Sequence, residues 1–74
     1  MGKELVIDTR LRSCPGPLVI LMQEIRNAKP GLKVKLLTTD PKAIADIRKW
    51  VTINGHKFLE FKQVDDYFEV YLEI

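Results

Sequence analysis

The 74-residue chain contains one cysteine and one histidine, and this scarcity excludes several kinds of chemistry. A single cysteine cannot form an internal disulfide, and one cysteine with one histidine does not supply a recognisable metal-ligand set. We therefore expect neither a metal nor a cofactor. A lone unpaired thiol fits a reducing compartment, so a cytoplasmic location is expected.

Long hydrophobic runs and strong charge of one sign are also missing. The segment Met1–Leu5 lacks the apolar stretch of a signal peptide, and no run approaches the roughly 20 residues that cross a bilayer. We expect no leader and no contact with a membrane. The formal net charge is only +2, and basic residues are not interleaved with aromatic ones, so direct binding of nucleic acid is not expected. The length predicts one domain, 1–74.

Hydrophobic periodicity predicts six elements in the order β-α-β-α-β-β. Strands are expected at roughly 4–8, 32–38, 58–64 and 67–74, with Asp65-Asp66 as the turn of a hairpin. The first helix is expected to begin at Pro15 and to end near Ala28. Its apolar stripe is Leu18, Leu21, Met22 and Ile25.

The second helix has clear signals at both ends. Asp40 is a good N-cap acceptor, Pro41 suits the first helical position, and Gly55 fits the position just past the helix. Strands with one polar face favour both helices on the same side of the sheet. The predicted fold class is α+β, a two-layer α/β sandwich with a mixed four-stranded sheet.

Cys14 lies between a polar, basic loop and the first predicted helix. If Pro15 is the first helical residue, Cys14 is the N-cap, and first-turn N–H groups and the helix dipole favour a thiolate. Arg10 and Arg12 add positive charge just upstream. Such settings lower the pKa of a cysteine from about 8.5 into a range of roughly 3.5–7.5. The alternative is a buried structural cysteine, since free cysteines are among the most buried residues.

Two other side chains in the chain bear on the chemistry of this thiol. Asp8 is expected to accept hydrogen bonds from the loop backbone as an Asx-type turn. His56 follows the predicted helix stop and is expected to satisfy local backbone groups. A Cys-His dyad without a third orienting group stays open as an alternative.

A set of residues spread over nearly the whole chain resembles the TusA/SirA/YedF family of small sulfur carriers. The specific part is the Cys-Pro-x-Pro signature at the first helix. The matching residues are Asp8, Cys14-Pro15-Gly16-Pro17, Gly31, Thr39-Asp40-Pro41, Asp46-Ile47, Trp50 and Gly55-His56. Members of this family fold as a β-α-β-α-β-β sandwich similar to the C-terminal domain of bacterial translation initiation factor three, which agrees with the predicted order.

The resemblance implies that Cys14 accepts sulfane sulfur and passes it on in a sulfur relay. It implies a donor protein, such as a cysteine desulfurase, a rhodanese-like or a DsrE-like protein, and an acceptor protein. Asp8, Arg10, Arg12, Pro15 and Pro17 are the expected supporting residues. Family uses include tRNA thiolation, cofactor sulfur supply and oxidation of reduced sulfur compounds.

The chain departs from the family pattern just before the thiol. Leu11 and Arg12 stand where members usually have Gly-Leu. Arg12 places an extra cation near the sulfur, which favours a more anionic adduct, a thiosulfonate rather than a persulfide. The cargo therefore stays open between these two.

Three other functions are compatible with the sequence. One is a non-catalytic RNA-binding module, and another is a regulatory interaction domain in which Cys14 is only structural. A redox sensor in which Cys14 forms a mixed disulfide is the third. It shares the chemistry of the carrier and differs in the adduct.

Overall fold

The computed structural model describes residues 4–10, 16–26 and 28–74. The elements follow the predicted β-α-β-α-β-β order. The strands are β1 (Glu4–Asp8), β2 (Lys33–Thr38), β3 (Lys57–Val64) and β4 (Tyr67–Glu73), and the helices are α1 (Gly16–Glu24) and α2 (Pro41–Ile53).

The four strands form one mixed sheet in the order β1-β2-β4-β3. β1 runs parallel to β2, whereas β4 is antiparallel to both β2 and β3. The parallel pair is joined through α1, as a parallel connection requires, and β3 and β4 form the predicted hairpin across Asp65-Asp66. Asp65 has a positive φ of 52°, a conformation that aspartate tolerates in turns.

Both helices pack on the same face of the sheet, which confirms the predicted two layers. The inward side chains of the strands and the apolar stripes of both helices belong to one hydrophobic cluster. Its buried members are Ile7, Leu21, Ile25, Val34, Leu36, Ala43, Ile44, Ile47, Val51, Val70 and Leu72. Within the described residues, neither helix has the length and apolar character needed to cross a bilayer.

α1 differs from its prediction at its end and in its stripe. It ends at Glu24 rather than near Ala28, and a tight turn closed by the Ala28 N–H on the Ile25 carbonyl (3.0 Å) follows it. Pro30 disfavours helical backbone at Lys29 and was the basis for the predicted end. The chain leaves the helix before Pro30 requires it, because α1 already ends at Glu24. Leu21 is fully buried, but Met22 is 36% exposed because the buried side of α1 is centred on Pro17 and Leu21.

α2 has the predicted caps. Asp40 Oδ1 accepts a hydrogen bond from the Lys42 N–H at 3.0 Å, and Pro41 is the first helical residue. Gly55 follows the helix with φ 79°, the left-handed conformation that favours glycine. These signals fix where α2 starts and stops.

Removal of the Asp40 cap should weaken the fold measurably. We expect Asp40→Ala to lower the free energy of unfolding by about 1 kcal/mol, because the Lys42 N–H loses its acceptor. Asp40→Asn keeps a hydrogen-bond acceptor, so its free energy of unfolding should fall clearly less. Denaturant unfolding followed by fluorescence of Trp50, the single tryptophan, measures both variants. Equal losses would show that the cap bond is not the stabilising contact.

The face of the sheet opposite the helices carries a polar cluster. The Tyr71 hydroxyl donates to Glu69 Oε1 at 2.6 Å, and Lys35 Nζ lies 3.2 Å from Glu69 Oε2. The Lys62 ammonium lies 5.4 Å from the centre of the Tyr71 ring. The bond to the Glu69 carboxylate raises the pKa of Tyr71 from 10.0 to about 12, and the same bond lowers the pKa of Glu69.

This cluster predicts a pH dependence at the alkaline end. Because the pKa of Tyr71 is raised in the folded state, its bond stabilises the fold below pH 10 and is lost as the pH rises towards 12. Phenolate absorbance should show a step near 12 that is missing in Tyr71→Phe. In Glu69→Gln that step should move down towards 10. An unchanged step in Glu69→Gln would contradict the assignment.

Candidate functional site

The candidate site lies at one end of the sheet, where β1 and β2 finish side by side. Asp8 pairs with Leu37 in the parallel register, so the two strands end at the same level. Each of these strands leads into a helix that begins with a proline at its first or second position, Pro17 in α1 and Pro41 in α2. We call this end the thiol edge: residues 8–10, 16–17, 38–41 and 65–68.

The sequence joins Cys14 to Gly16, the first residue of α1, through Pro15 alone. Cys14, Pro15 and Arg12 lie outside the described residues, whereas the residues on both sides of this segment are described. The predicted N-cap position of Cys14 also lies outside them. Pro17 is buried in the first turn of α1, where its fixed φ suits the helix and its missing N–H costs nothing.

Thr9 fixes the point at which the chain leaves β1. Its side chain is fully buried, and both its N–H and its hydroxyl donate to the Leu37 carbonyl, the N–H at 2.8 Å. Thr38 is equally buried and accepts from the Asp40 N–H at 3.1 Å. The two threonines hold both strand ends of the thiol edge in place, and each of their buried hydroxyls has a hydrogen-bond partner.

Asp8 and Arg10 form a two-point ion pair beside the loop. Arg10 Nε donates to Asp8 Oδ1 at 3.0 Å, and its terminal nitrogen donates to Oδ2 at 2.9 Å. The Arg10 backbone N–H also donates to Oδ1 at 3.1 Å, which is the expected Asx-type bond. Both side chains stay about half exposed, at 43% and 51%. Hydrogen bonds from Arg10 lower the pKa of Asp8, and the bond to Asp8 raises the pKa of Arg10.

The same guanidinium stacks over an aromatic ring from the other end of the chain. The Arg10 Cζ atom lies 5.0 Å from the centre of the Tyr67 ring. Tyr67 reaches this position because β4 begins at the thiol edge, where Phe68 pairs with Thr38. Arg10 is therefore held between a carboxylate and a ring, and its charge is partly balanced by Asp8.

His56 lies at the opposite end of the molecule from the thiol edge. It follows α2, whose 13 residues span about 20 Å from Pro41. The His56 ring packs against Trp50 with the ring centres 5.7 Å apart, and the His56 backbone N–H donates to the Val51 carbonyl at 2.8 Å. This is the local role that the sequence favoured. The position of His56 argues against a Cys-His dyad, because the length of α2 separates His56 from the thiol edge, where α1 begins.

Comparison with known proteins identifies the family of this arrangement. A sequence model described as Sulfurtransferase TusA matches residues 5–74. The chain belongs to the TusA family. A protein of Archaeoglobus fulgidus is 33% identical over 66 residues, which is 89% of this chain and 90% of that protein. The Sulfur carrier protein TusA of Pseudomonas putida strain GB-1 is 35% identical over 57 residues, 77% of this chain and 71% of its own.

A solved structure supports the fold of this TusA-family chain. The crystal structure of a SirA-like protein from Desulfitobacterium hafniense superposes with a TM-score of 0.83 and covers 93% of this chain and 95% of its own. Its sequence is only 20% identical, so this likeness concerns the fold. It confirms the two-layer arrangement predicted from strand and helix patterning.

Thr9 and Tyr67 are neighbours of the site that were not predicted from the sequence. Thr9 could have been found, because it continues the inward alternation of Leu5 and Ile7 in the first strand. Tyr67 had no local signal. Its contact with Arg10 depends on the pairing of β4 with β2, and the sequence does not reveal which strands are neighbours.

Proposed function

We propose that this chain is the carrier in a sulfur relay and that Cys14 holds the sulfur. The observation that carries the proposal is the match to the TusA family over residues 5–74, in a chain with a single cysteine. The family's Pseudomonas putida and Buchnera aphidicola relatives are named sulfur carrier proteins. Cys14 is the single cysteine of the chain, so its thiol is the one that can carry sulfur.

The proposed exchange needs no base beyond the thiolate. The Cys14 thiolate attacks the outer sulfur of a donor persulfide, forms a new S–S bond and releases the donor as a thiolate. The proton on the transferred sulfur stays with it. An acceptor thiolate then attacks that same sulfur and regenerates the Cys14 thiolate, so neither half-reaction requires an external oxidant or reductant.

The start of α1 supports the ionised forms in this proposal. Proline has no N–H, so the first-turn donors nearest the thiol in sequence are the backbone N–H groups of Gly16 and Leu18. Together with the positive end of the helix dipole they favour a thiolate or an anionic adduct. Arg10 contributes less positive charge than a free guanidinium would, since Asp8 is its partner. Arg12 is the cation we propose as the determinant of an anionic cargo.

The proposed setting is a single domain, 1–74, in a reducing compartment such as the cytoplasm. The partners are a donor of the cysteine desulfurase, rhodanese-like or DsrE-like class and an acceptor protein with a reactive thiol.

Intact-mass spectrometry after incubation with polysulfide or with tetrathionate tests the chemistry. We expect one adduct per chain that dithiothreitol removes, with a mass that distinguishes a persulfide from a thiosulfonate. The absence of an adduct, or an adduct that dithiothreitol does not remove, would contradict the proposal.

A further inference from the structure

An apolar groove lies between α2 and the β3–β4 hairpin, on the outer side of the hydrophobic core, to which Ile44 in its lining belongs. It has a volume of about 760 Å³ and is lined by one side of α2 and by the rings of Phe58, Phe61 and Phe68. Phe61 remains 49% exposed and Ile53, at the end of α2, is 75% exposed. Large apolar side chains gathered in an open groove are typical of an interaction surface.

α2 presents a second stripe to this groove, beside the stripe that enters the core. Residues 41, 44, 45, 48, 49, 52 and 53 line it, which is helical spacing along the whole element. The lining therefore runs along about 20 Å of α2, enough for roughly three to four turns of a partner helix. Helices that bind such grooves insert apolar anchors at i, i+3 or i+4, and i+7.

The charges on the groove are of one sign. Arg48 and Lys49 are the charged side chains among the described residues that line it. The Arg48 guanidinium lies 5.5 Å from the centre of the Phe58 ring, so a cation is held directly over the aromatic floor. A partner segment that complements this groove carries carboxylates beside its apolar anchors.

The same charges disfavour a second copy of this chain as the occupant. A two-fold interface through the groove would bring Arg48 and Lys49 of each copy towards the same cations of the other. The groove also begins at the thiol edge, because Pro41 and Phe68 belong to both and Phe68 pairs with Thr38. An occupant of the groove would be anchored next to that edge.

We propose that this groove docks an acidic, amphipathic helix of a partner protein, and, resting on the proposed function, that the partner is a sulfur donor or acceptor. Phe61 and Phe58 take the apolar anchors of the helix, and Arg48 and Lys49 face its carboxylates. Docking of the partner depends on the groove residues, whereas sulfur transfer depends on Cys14.

A designed helical peptide tests the docking. The probe has Leu and Phe on one face and Glu elsewhere, and its matched control has Lys in place of each Glu. Amide chemical shifts of the labelled protein should move in α2 and β3 with the Glu peptide, which should bind at least about tenfold more tightly than the Lys peptide. Phe61→Ala should weaken the Glu peptide by about tenfold, and Arg48→Glu with Lys49→Glu should reverse the preference.

Several results would overturn the proposal. They are equal binding of both peptides, no binding of the Glu peptide, or shifts confined to the open face of the sheet around Tyr71. Sedimentation that shows a dimer dissociated by Phe61→Ala would assign the groove to a second copy instead. The outcome is separable from the proposed function, because Cys14→Ser should bind the peptide normally and the groove variants should load sulfur from polysulfide normally.

Discussion

Cys14→Ser should take up no sulfur from polysulfide or tetrathionate, whereas the wild-type chain takes up one adduct. The serine hydroxyl is almost the same size as the thiol, but it does not ionise near neutral pH and is a poor nucleophile towards sulfur. Because the chain has no other cysteine, no second thiol can compensate. Intact-mass spectrometry measures the difference directly, and circular dichroism checks that the variant is folded.

His56→Ala is the matched control for this loss. His56 lies beyond α2, with its ring on Trp50, so its removal should leave sulfur uptake within about twofold of the wild type. A large loss in His56→Ala would show that the histidine acts as a base for the thiol. Uptake by Cys14→Ser at the wild-type level would show that Cys14 is not the residue that accepts sulfur.

Leu21→Ala should be the most destabilising single change at the centre of α1. Leu21 is fully buried in the hydrophobic cluster, and truncation of such a leucine costs about 2–5 kcal/mol through lost burial and the cavity left behind. A small domain has only about 5–15 kcal/mol in total. We expect a large fall in the denaturant midpoint and, since Leu21 holds α1 on the sheet, loosening of the helix start at Gly16.

The neighbouring residue provides the comparison. Met22 is 36% exposed, so Met22→Ala should change the free energy of unfolding by no more than about 0.5–1 kcal/mol. Fluorescence of Trp50 in a denaturant series measures both variants. Similar losses in the two variants would mean that α1 packs with a different rotation about its axis.

The order of elements and the two layers could be predicted because the strongest local signals agree with the fold. Asp40, Pro41 and Gly55 mark α2 at both ends, and the alternation in β2 and β4 marks the buried face of the sheet. α1 was harder. Its sequence is apolar on several sides, so periodicity could not decide that Met22 is exposed or that the helix ends at Glu24.

The surroundings of the candidate site were only partly predictable. Asp8 and Arg10 are two residues apart, so their pairing has a local signal, and the Asx-type bond was expected. The contact of Arg10 with Tyr67 depends on long-range strand pairing. The groove was missed for a similar reason, since Phe61 belongs to an edge strand and its exposure follows from which strands the helices cover.

A sulfur carrier must both accept sulfur on Cys14 and hand it on to another thiol. The most direct measurement loads the chain with isotopically labelled sulfane sulfur, removes the free donor and then adds glutathione as the acceptor thiol. We expect one labelled sulfur per chain to leave the protein and appear as glutathione persulfide, with none from Cys14→Ser. Label that stays on the protein, or equal transfer in the Cys14→Ser sample, would show that Cys14 is not a sulfur carrier.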